Sequence, residues 1–547
     1  MAAPGENLPT VTELLLARAE DRNPGLVFED FAWTWAEYVR ECADRAALLR
    51  SLRRPGPFHI GVLMDNTPEL SFLLGGAALA GAVLVGLNTS RRGEALVRDV
   101  KHAECQVVLT DSRYVELLQG FDVGARVHDV DSAAWHVTAF RHRHSPLEPV
   151  PASPHDLFML VHTSGTGGDP KAVRVTHGKV AHPARKLAER FRLGREDTAY
   201  VAMPMFHSDA IVAGWATGLA AGARLALRRR FSAAGFLDDV RKFGATYTNY
   251  VGMPLAYVLA TTRHDDDADN PLRVIYGSEA TARDVAAFGE RFGCQVVEAY
   301  GSTEGGINLV RPPGTPAGSL GPIAGDIAVL DPDTGLPCPP AVFDERGRLA
   351  NADVAIGELV RTSGPGMFAG YHNDPAADAE RMREGMFWSG DLVYRDEQGF
   401  GFFVGRRGEW LRVDGENLGA APIERILLRH LDVAEAAVYA VPDRHSGDQV
   451  MAALVLHSGA TFDPAGFARF LSAQADLGPK QVPRFVRLTP RLPRTATYKV
   501  LKRTLTAQRW RIPDPVWWRE GAELRYEPLT PSSDPIRLDW GARSVRR

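Results

Sequence analysis

Short apolar runs with β-strand character alternate with helical patterns through the first 400 residues of the chain. Four such runs, each bounded by residues that favour turns, are HIGVLM, QVVLT, LFMLVHT and CQVVEAY. Strands that alternate with helices are typical of α/β layers with partly parallel sheets. The pattern therefore predicts an α/β fold, with α+β subdomains, in which layered sheets form a large N-terminal domain.

The character of the sequence changes near residue 405. A glycine-punctuated segment with hairpin character, GFGFFVGRRGEW, leads into a smaller unit with its own helix and strand patterns. We therefore predict an N-terminal domain at 1–404, a small C-terminal α/β domain at 405–510 and a C-terminal tail at 511–547. The five prolines and three tryptophans of the tail indicate ordered chain that wraps on the protein.

Composition excludes several classes of protein. The 547 residues are 45% hydrophobic and 24% charged, as in ordinary soluble globular proteins, and the net charge of −4 gives no reason to expect nucleic acid as a partner. The four cysteines are widely separated and form no CxxC pair, so neither a zinc site nor a disulfide framework is predicted. Because the N-terminus also lacks the pattern of a signal peptide, a cytoplasmic protein is predicted.

Residues 70–87 are the stretch that most resembles a membrane span, because they carry no charge. Four glycines and an internal change of character favour a buried helix followed by a buried strand. Thr67 is the predicted N-cap of the helix, Pro68 is its first residue, and Gly81 forms the turn before the strand. No transmembrane segment is therefore predicted.

The segment LVHTSGTGGDPKAV, residues 160–173, combines glycines and hydroxyl side chains with Lys171. Glycines let backbone amides approach an anion closely, and hydroxyl and ammonium groups add further donors, which is the chemistry of a phosphate site. The Walker A pattern does not fit, because Pro170 precedes the lysine and Ala172 follows it. A polyphosphate site unlike that of P-loop NTPases is predicted.

A second cluster of glycines and hydroxyl groups, VVEAYGSTEGG, follows a predicted strand at residues 296–306. A carboxylate beside a phosphate site, here Glu304, requires a cation, and Mg²⁺ held by one carboxylate and by substrate phosphates is the usual arrangement. Tyr300 offers an aromatic face on which a purine can stack. A solvated acid in a glycine-rich turn is the alternative interpretation.

Two later segments carry further polar groups. Asp391 follows Gly390 in a turn from which a carboxylate can accept both hydrogen bonds of a ribose diol, and Arg406 lies at the predicted domain boundary. Lys499 lies in LPRTATYKVLKRTL, where a surface salt bridge is the commonest role for a lysine.

Together, and in this order, the four segments resemble those of the adenylate-forming superfamily of acyl-CoA synthetases, luciferases and peptide-synthetase adenylation domains. The resemblance covers nearly all of residues 8–510. Within the superfamily, GEWLRVDGENLGAAPIE and TATYK are most similar to long- and very-long-chain acyl-CoA synthetases, including fatty acid transport proteins. The likeness is greatest to actinobacterial acyl-CoA ligases, some of which activate steroid side-chain carboxylates.

The resemblance implies an AMP-forming acid–thiol ligase that uses ATP, Mg²⁺ and coenzyme A. The acid, either a long-chain fatty acid or a steroid side-chain acid, would react with ATP to give an acyl-adenylate, and the thiol of coenzyme A would then displace AMP. The resemblance also implies that the small domain is mobile and rotates about a hinge at about 405–408. Gly408 lies there and can absorb a large backbone change.

The resemblance further assigns roles to single residues. The expected catalytic residues are Lys499, His207, Thr303 and Glu304, of which Glu304 would hold the metal, His207 would border the acyl site, and Lys499 would reach the carboxylate and the α-phosphate. The expected nucleotide-binding residues are Thr163, Ser164, Gly165, Thr166, Gly167, Gly168, Lys171, Gly277, Ser278, Glu279, Tyr300, Gly301, Ser302, Thr303, Asp391, Arg406 and Lys499.

The sequence departs from the superfamily pattern at Gly167, where most relatives carry threonine, and at Tyr498, where glycine is commoner. Four apolar residues are expected to line the acyl pocket: Ile211, Trp215, Val251 and Met253. Asp209 lies close to them and could either anchor a polar group of the substrate or face solvent, and the second role is favoured.

Three alternative functions remain from the sequence, of which a pseudo-enzyme scaffold is disfavoured by the intact set of motifs. Another is adenylation of an amino or aryl acid for a carrier protein, although Phe206 is followed by His207 rather than by the aspartate usual in domains that activate amino acids. The third is a non-catalytic fatty-acid carrier, which would have no use for Lys499 and Glu304. Small molecules are the expected partners, while peripheral contact with the inner membrane face, a homodimer and the identity of the acid stay undecided.

Overall fold

The computed structural model describes residues 8–163, 170–407, 411–413, 416–443, 447–495, 499–520 and 523–530. They form two compact units, which we call the first unit (8–311 and 363–387) and the second unit (312–362, 388–495 and 499–530), within the described ranges. Both units mix helices with sheets, which confirms the predicted α/β class. The predicted domain boundary at 405 marks a hinge about which the small domain would rotate. A division of the chain into compact units does not test where such a hinge lies. Gly408 lies outside the described residues, so the domain limits stay a prediction.

Helices occur along the whole chain, and they are longest in its first 200 residues. The α-helices are α1 (Val11–Leu16), α2 (Trp35–Leu52), α3 (Pro68–Ala80), α4 (Gly93–His102), α5 (Ala133–Arg141), α6 (His177–Arg190), α7 (Thr217–Ala221), α8 (Phe236–Phe243), α9 (Pro254–Leu259), α10 (Ala282–Phe292), α11 (Ala352–Ala355), α12 (Pro375–Arg381), α13 (Ala420–Leu427), α14 (Pro464–Ser472) and α15 (Lys502–Gln508). A π-helix spans Ala210–Ala216, and short 3₁₀ helices span Val115–Leu118 and Pro479–Gln481.

The strands follow the apolar runs of the sequence. They are β1 (Pro24–Phe28), β2 (Phe31–Thr34), β3 (His59–Leu63), β4 (Val83–Gly86), β5 (Cys105–Thr110), β6 (Arg126–Asp129), β7 (Leu157–Thr163), β8 (Lys171–Thr176), β9 (Thr198–Val201), β10 (Arg224–Leu227), β11 (Tyr247–Val251), β12 (Val274–Ser278), β13 (Gln295–Gly301), β14 (Asn308–Val310), β15 (Ser319–Pro322), β16 (Ile327–Leu330), β17 (Gly357–Arg361), β18 (Met382–Arg383), β19 (Met386–Arg395), β20 (Phe400–Arg406), β21 (Leu411–Val413), β22 (Glu416–Leu418), β23 (Val433–Asp443), β24 (Gly447–Leu456), β25 (Phe485–Leu488), β26 (Val516–Trp518) and β27 (Glu527–Pro528).

The first unit contains two largely parallel sheets. One has the order β6-β5-β3-β4-β7-β8, with only β8 antiparallel to its neighbour, and the other has the order β14-β13-β12-β11-β9-β10-β1-β2, with antiparallel strands only at its two ends. Every residue of β3 and β4 is buried, as is usual for parallel strands that helices cover on both faces. The alternation of strands and helices therefore forms the partly parallel sheets that the sequence predicted.

The uncharged stretch at 70–87 forms the predicted helix and strand. The Thr67 side chain accepts a hydrogen bond from the amide of Leu70 and caps α3, and the chain turns at Gly81, whose φ of 65° suits glycine. The following β4 lies inside a sheet. Among the described residues, no helix combines the length and apolar character that crossing a bilayer requires.

The second unit contains two further sheets. One sheet has the order β15-β20-β19-β17-β16, in which β20 is antiparallel to β15 and β19, and β16 is antiparallel to β17. The other sheet has the order β22-β21-β24-β25-β26-β27, with β23 paired to β24. The last two strands lie in the predicted tail, so the chain after residue 511 extends the C-terminal sheet. Residues 531–547 of the tail lie outside the described residues.

All four cysteines are free and buried, and each is remote from the others in sequence. Burial raises the pKa of Cys105 and Cys294 to about 12 and that of Cys338 to about 11, and it raises the pKa of Cys42 further. The thiolate is the reactive form of cysteine, so buried thiols with raised pKa values are inert.

We therefore predict that no cysteine of the native protein reacts with a thiol reagent such as DTNB at pH 8 within minutes. The reason is that neither the thiolate form nor access for the reagent is available. The same protein unfolded in guanidinium chloride is the control, and it should release one thionitrobenzoate per cysteine, four in all. Rapid reaction of even one native thiol would contradict the burial described here.

Candidate functional site

Several of the predicted nucleotide-binding residues lie where parallel strands end. β12 and β13 are parallel neighbours, and they end at Ser278 and Gly301. Because the carboxyl ends of parallel strands lie at one edge of a sheet, Gly277, Ser278 and Glu279 lie beside Tyr300. A crevice outside such an edge is the usual ligand site of an α/β sheet.

Glu279 adopts an unusual backbone conformation at this edge. Its φ is 69°, a value that non-glycine residues seldom adopt, and the next amide, of Ala280, donates a hydrogen bond to Oε1 of Glu298 at 3.0 Å. Oε2 of Glu298 in turn accepts a hydrogen bond from Arg311 at 2.8 Å. The loop after β12 is therefore held in a strained shape by its contact with the neighbouring strand.

Glu304 lies in the turn after β13, where its carboxylate is held by a side chain distant in sequence. The hydroxyl of Tyr371 donates a hydrogen bond to Oε1 of Glu304 at 2.9 Å, and Nε of Arg381 lies 3.3 Å from the same hydroxyl. Burial raises the pKa of Glu304, but the charge of Arg381 and the hydrogen bonds outweigh burial, so the pKa lies below its usual value. The carboxylate is therefore ionised at neutral pH.

An ionised carboxylate beside a hydroxyl-rich turn fits Mg²⁺, which commonly binds one or two carboxylates together with substrate phosphates. In the described part of the chain, no group of three or more His, Cys, Asp or Glu side chains could hold a metal ion by itself. Glu304 therefore suits a metal that arrives with a phosphate ligand rather than a metal held by the protein alone.

Lys171 lies close to the same tyrosine. It pairs with Thr163 across the antiparallel strands β7 and β8, so both residues flank the glycine-rich loop. Nζ of Lys171 lies 5.2 Å from the ring centroid of Tyr371 and 3.0 Å from Oε2 of Glu380. The loop residues Ser164, Gly165, Thr166, Gly167 and Gly168 lie outside the described residues.

His207 and Thr303 are connected through a residue that the sequence did not single out. Oγ of Ser208 lies 3.1 Å from Oγ1 of Thr303, and Ser208 directly follows His207. The His207 ring packs against Phe206, with 4.6 Å between ring centroids. The loop after β9 therefore meets the loop after β13, and the structure brings together His207, Thr303, Glu304 and Lys171.

Asn66 fixes the backbone just before His207. Its Oδ1 accepts a hydrogen bond from the amide of Met205 at 2.8 Å, and its Nδ2 donates to the carbonyl of Met203 at 2.9 Å. Asn66 is 3% exposed and follows β3, a strand of the other sheet. A buried amide that makes both kinds of hydrogen bond holds the Met203–Met205 segment in one conformation.

Gly86, at the end of β4, also lies against this loop. A Cβ atom at Gly86 would lie 2.5 Å from the carbonyl oxygen of Phe206, closer than any van der Waals contact allows. Only a residue without a side chain permits this approach. The Phe206–His207 segment therefore packs directly against the backbone of β4 in the neighbouring sheet.

The structure differs from the sequence interpretation at Asp209, for which a solvent-facing role was favoured. Oδ2 of Asp209 accepts a hydrogen bond from Nδ2 of Asn249 at 2.6 Å, and the residue is partly buried at the start of the π-helix. Burial raises its pKa to about 7, although the Asn249 hydrogen bond opposes the rise. The solvent-facing prediction is therefore wrong.

Two of the four expected pocket residues are buried in this structure, and their place in the pocket wall stays a prediction. Ile211 is fully buried, and Trp215 is 1% exposed and donates from Nε1 to the hydroxyl of Tyr38 at 2.9 Å. Both are core residues of the first unit in this structure. Val251 and Met253 are partly exposed and stay candidates for the pocket wall.

The second unit holds the predicted ribose-binding pair. Asp391 and Arg406 face each other on the antiparallel strands β19 and β20, with Nε of Arg406 3.3 Å from Oδ1 of Asp391. The predicted turn at Gly390 is wrong, because Gly390 lies within β19 with a φ of 77°, and its amide donates a hydrogen bond to Oε1 of the buried Glu358 at 2.7 Å. The carboxylate and the guanidinium group are therefore presented from one rigid sheet.

Lys499 contacts Thr495 in the second unit. Its amide donates a hydrogen bond to Oγ1 of Thr495 at 3.1 Å, and its carbonyl accepts one from the Thr495 amide at 2.8 Å. Residues 496–498, Tyr498 among them, lie outside the described residues.

Sequence analysis missed Tyr371, Arg381, Asn66 and Glu358. Tyr371 and Arg381 occur in GYHNDPAADAER, a segment whose glycine, asparagine and proline indicate a turn followed by a helix but no specific partner. Asn66 immediately precedes the predicted cap Thr67, which is the only signal that could have drawn attention to it.

Similarity to known proteins extends over almost the whole chain. Residues 16–372 match the AMP-binding enzyme family, and residues 422–499 match the AMP-binding enzyme C-terminal domain. The chain is 52% identical to the medium/long-chain-fatty-acid–CoA ligase FadD17 of Mycobacterium marinum, over 93% of its own length and 98% of the relative's. It is 46% identical to the steroid-22-oyl-CoA synthetase of Rhodococcus jostii over 96% of each chain. ATP-bound MatB from Rhodopseudomonas palustris has the same fold, with a TM-score of 0.80 at 24% identity over 91% of this chain and 98% of MatB.

We predict that Gly86→Ala lowers the apparent unfolding temperature, because the added methyl group must displace the Phe206 carbonyl. Such overpacking costs about 1–3 kcal/mol. Thermal unfolding followed by circular dichroism measures the change. Gly194→Ala is the matched control, since a Cβ there meets nothing within 4 Å, and its unfolding temperature should stay close to that of the wild type. Equal unfolding temperatures for the two variants would contradict the close approach at Gly86.

Proposed function

Because the chain belongs to the AMP-binding enzyme family, we propose that it is an ATP-dependent acyl-CoA ligase, which converts a hydrophobic carboxylic acid into its CoA thioester through an acyl-adenylate. The observation that carries the proposal is the grouping of Lys171, Thr303 and Glu304 around Tyr371 and Ser208. A cation, a hydroxyl group and an ionised carboxylate are the groups that a bound polyphosphate and its metal require.

The acid that we propose is a long-chain fatty acid or a steroid side-chain acid. Support comes from the two relatives, which are named for fatty-acid and steroid substrates and are 52% and 46% identical to this chain. The partly exposed Val251 and Met253 are apolar, and each methylene buried on such a wall contributes about 0.8 kcal/mol. Asp209 is a polar group close to this wall, and a steroid or hydroxylated acid would offer it a partner.

In this proposal, Lys171 and the glycine-rich loop bind the phosphates of ATP. In the structure Lys171 pairs with Glu380, whose side chain is 72% exposed. Exposed ion pairs contribute about 0–1 kcal/mol, so a phosphate group can replace the carboxylate at little cost. Thr303 adds a hydroxyl donor, and Ser208 fixes the position of that hydroxyl.

Glu304 is the proposed ligand of Mg²⁺. When bound, the metal would neutralise part of the charge of the phosphate oxygens. The residues of the chain supply what such a metal needs: Arg381 keeps the carboxylate ionised, and Tyr371 fixes the direction of one carboxylate oxygen. Coenzyme A is the proposed thiol substrate of the second half-reaction.

The other predicted residues take the roles that the family resemblance implies. We expect Asp391 and Arg406 to bind the ribose hydroxyls, and Tyr300 with the loop from Gly277 to Glu279 to bound the adenine. Lys499 is the proposed cation for the carboxylate and the α-phosphate during adenylation, where catalysis rests on positioning and charge stabilisation. The division at 1–404, 405–510 and 511–547, with a hinge at 405–408, is part of the proposal. The proposal includes neither a homodimer nor peripheral membrane contact, which the sequence left undecided.

Incubation with ATP, Mg²⁺ and a panel of acids tests the proposed activity. We expect ATP–pyrophosphate exchange with long-chain fatty acids or steroid side-chain acids, and mass spectrometry should detect the corresponding CoA thioesters when coenzyme A is present. Reactions without coenzyme A are the control for the thioester. Exchange with amino acids alone, or no exchange with any acid, would reject the proposal in favour of the alternative functions.

We expect Lys499→Ala to lower the rate of adenylation by about 10²–10³-fold, the usual effect of removing one donor that stabilises transition-state charge. Thioester formation from a supplied acyl-adenylate should change little, because the lysine acts only in the first half-reaction. Lys502→Ala is the matched control, since Lys502 lies three residues away and pairs with Glu424 at 2.8 Å. If Lys499→Ala slowed both half-reactions equally, the proposal that Lys499 acts only in adenylation would be wrong.

A further inference from the structure

Lys179 is a buried lysine that no step of the proposed reaction uses. It lies in the first turn of α6 and is 7% exposed. Burial of an ammonium group is costly unless polar groups surround it. The described groups that surround the Lys179 side chain therefore indicate its role.

Two main-chain carbonyls accept hydrogen bonds from the Lys179 ammonium. Nζ lies 2.7 Å from the carbonyl oxygen of Glu304 and 3.5 Å from that of Arg174. The first bond is short and joins α6 to the turn that carries the proposed metal ligand. Burial lowers the pKa of Lys179 to about 7, but its side-chain nitrogen carries N–H donors in either protonation state, so this contact fixes the peptide group of Glu304.

The turn is shaped to receive the lysine. Gly305 has a φ of 70°, and a Cβ atom there would lie 2.8 Å from Cε of Lys179. The Gly305 amide donates to the carbonyl of Ser302 at 3.0 Å, and the Gly305 carbonyl accepts from the amide of Met367 at 3.2 Å. Glycine is thus required both for the left-handed backbone and for the space that the lysine stem occupies.

Lys179 also connects the two segments that hold Glu304. Its second acceptor, Arg174, lies in β8, and the Arg174 amide donates to the carbonyl of Gly370 at 3.0 Å. Gly370 immediately precedes Tyr371, whose hydroxyl binds the Glu304 carboxylate. The main chain and the side chain of Glu304 are therefore fixed by one connected set of contacts.

We propose that Lys179 is a positioning residue that holds the Glu304 main chain so that the carboxylate is presented to a divalent metal bound with the nucleotide phosphates. The inference rests on the proposed function, since it assumes a metal–nucleotide substrate. Lys179 acts on the metal only through Glu304. Loss of a group that orients a metal ligand typically weakens metal binding by about 10–100-fold.

Binding of Mn²⁺ in the presence of α,β-methylene-ATP, followed by electron paramagnetic resonance, tests this role without catalysis. Lys179→Met preserves the length of the side chain and removes the ammonium group. We expect its dissociation constant for Mn²⁺ to rise about 10–100-fold, while the affinity for the nucleotide without metal changes less than about threefold. Glu304→Gln is the reference for loss of the ligand itself and should weaken Mn²⁺ binding at least as much.

Lys186→Met is the matched control, because Lys186 lies on the same helix and its side chain is 54% exposed. Its Mn²⁺ affinity should equal that of the wild type. Gly305→Ala provides a second route if Lys179→Met does not fold, since the methyl group would push the lysine stem and the turn apart. Gly93→Ala controls for backbone strain, because Gly93 has a φ of 55° and open space at its Cβ. We expect weaker Mn²⁺ binding for Gly305→Ala and wild-type binding for Gly93→Ala.

Wild-type Mn²⁺ affinity in folded Lys179→Met, or in folded Gly305→Ala, would overturn the positioning role. A lower unfolding temperature with unchanged metal affinity would overturn it as well, because the lysine would then serve stability alone. A wild-type protein that binds no metal–nucleotide complex would overturn the proposed function together with this inference. Equal binding by the wild type and Lys179→Met would overturn the inference and leave the proposed function intact.

Discussion

Glu304 is a carboxylate that stays ionised although much of it is removed from water, beside the loops that we propose to bind phosphate. Burial alone would raise its pKa, and the neutral form of a carboxyl group does not attract a divalent cation. Arg381 supplies the opposing charge, and the Tyr371 hydroxyl supplies a hydrogen bond to the charged form. Tyr371 also lies under Lys171, so one aromatic side chain fixes the distance between the proposed phosphate-binding cation and the proposed metal ligand.

The remaining parts of this site depend on close contacts between loops from the two sheets of the first unit. The loop after β9 is held by Asn66 from the other sheet and approaches the backbone of Gly86. The same loop reaches the turn after β13 through Ser208 and Thr303. Packed protein interiors transmit small displacements, because they contain few voids. The position of His207 is therefore tied to the core of both sheets rather than to its own loop.

The region that we propose for the acyl group contains Asp209, which does not face solvent as the sequence interpretation favoured. Burial raises the pKa of Asp209 to about 7, so its carboxyl group takes up a proton far more readily than that of an ordinary aspartate. A neutral carboxyl can donate a hydrogen bond, and an ionised one can accept, so the residue can pair with a carbonyl or a hydroxyl group. Trp215, an expected wall residue, is buried, and its indole N–H donates a hydrogen bond to the Tyr38 hydroxyl. Hydrophobic character alone could not separate a pocket wall from the core, since both are apolar.

The amino-acid sequence by itself determined the features that depend on neighbouring residues. The cap, length and end of α3 and the strand that follows it all follow from local patterns, and such patterns also singled out Lys171 and Glu304 as candidates. Tertiary structure alone decided which groups hold those residues in place. Tyr371, Lys179 and Asn66 contact their partners across 67, 125 and 139 positions of the chain. No local pattern specifies such a partner, because the contact exists only once the strands have taken their order in the sheets and their loops meet at one edge.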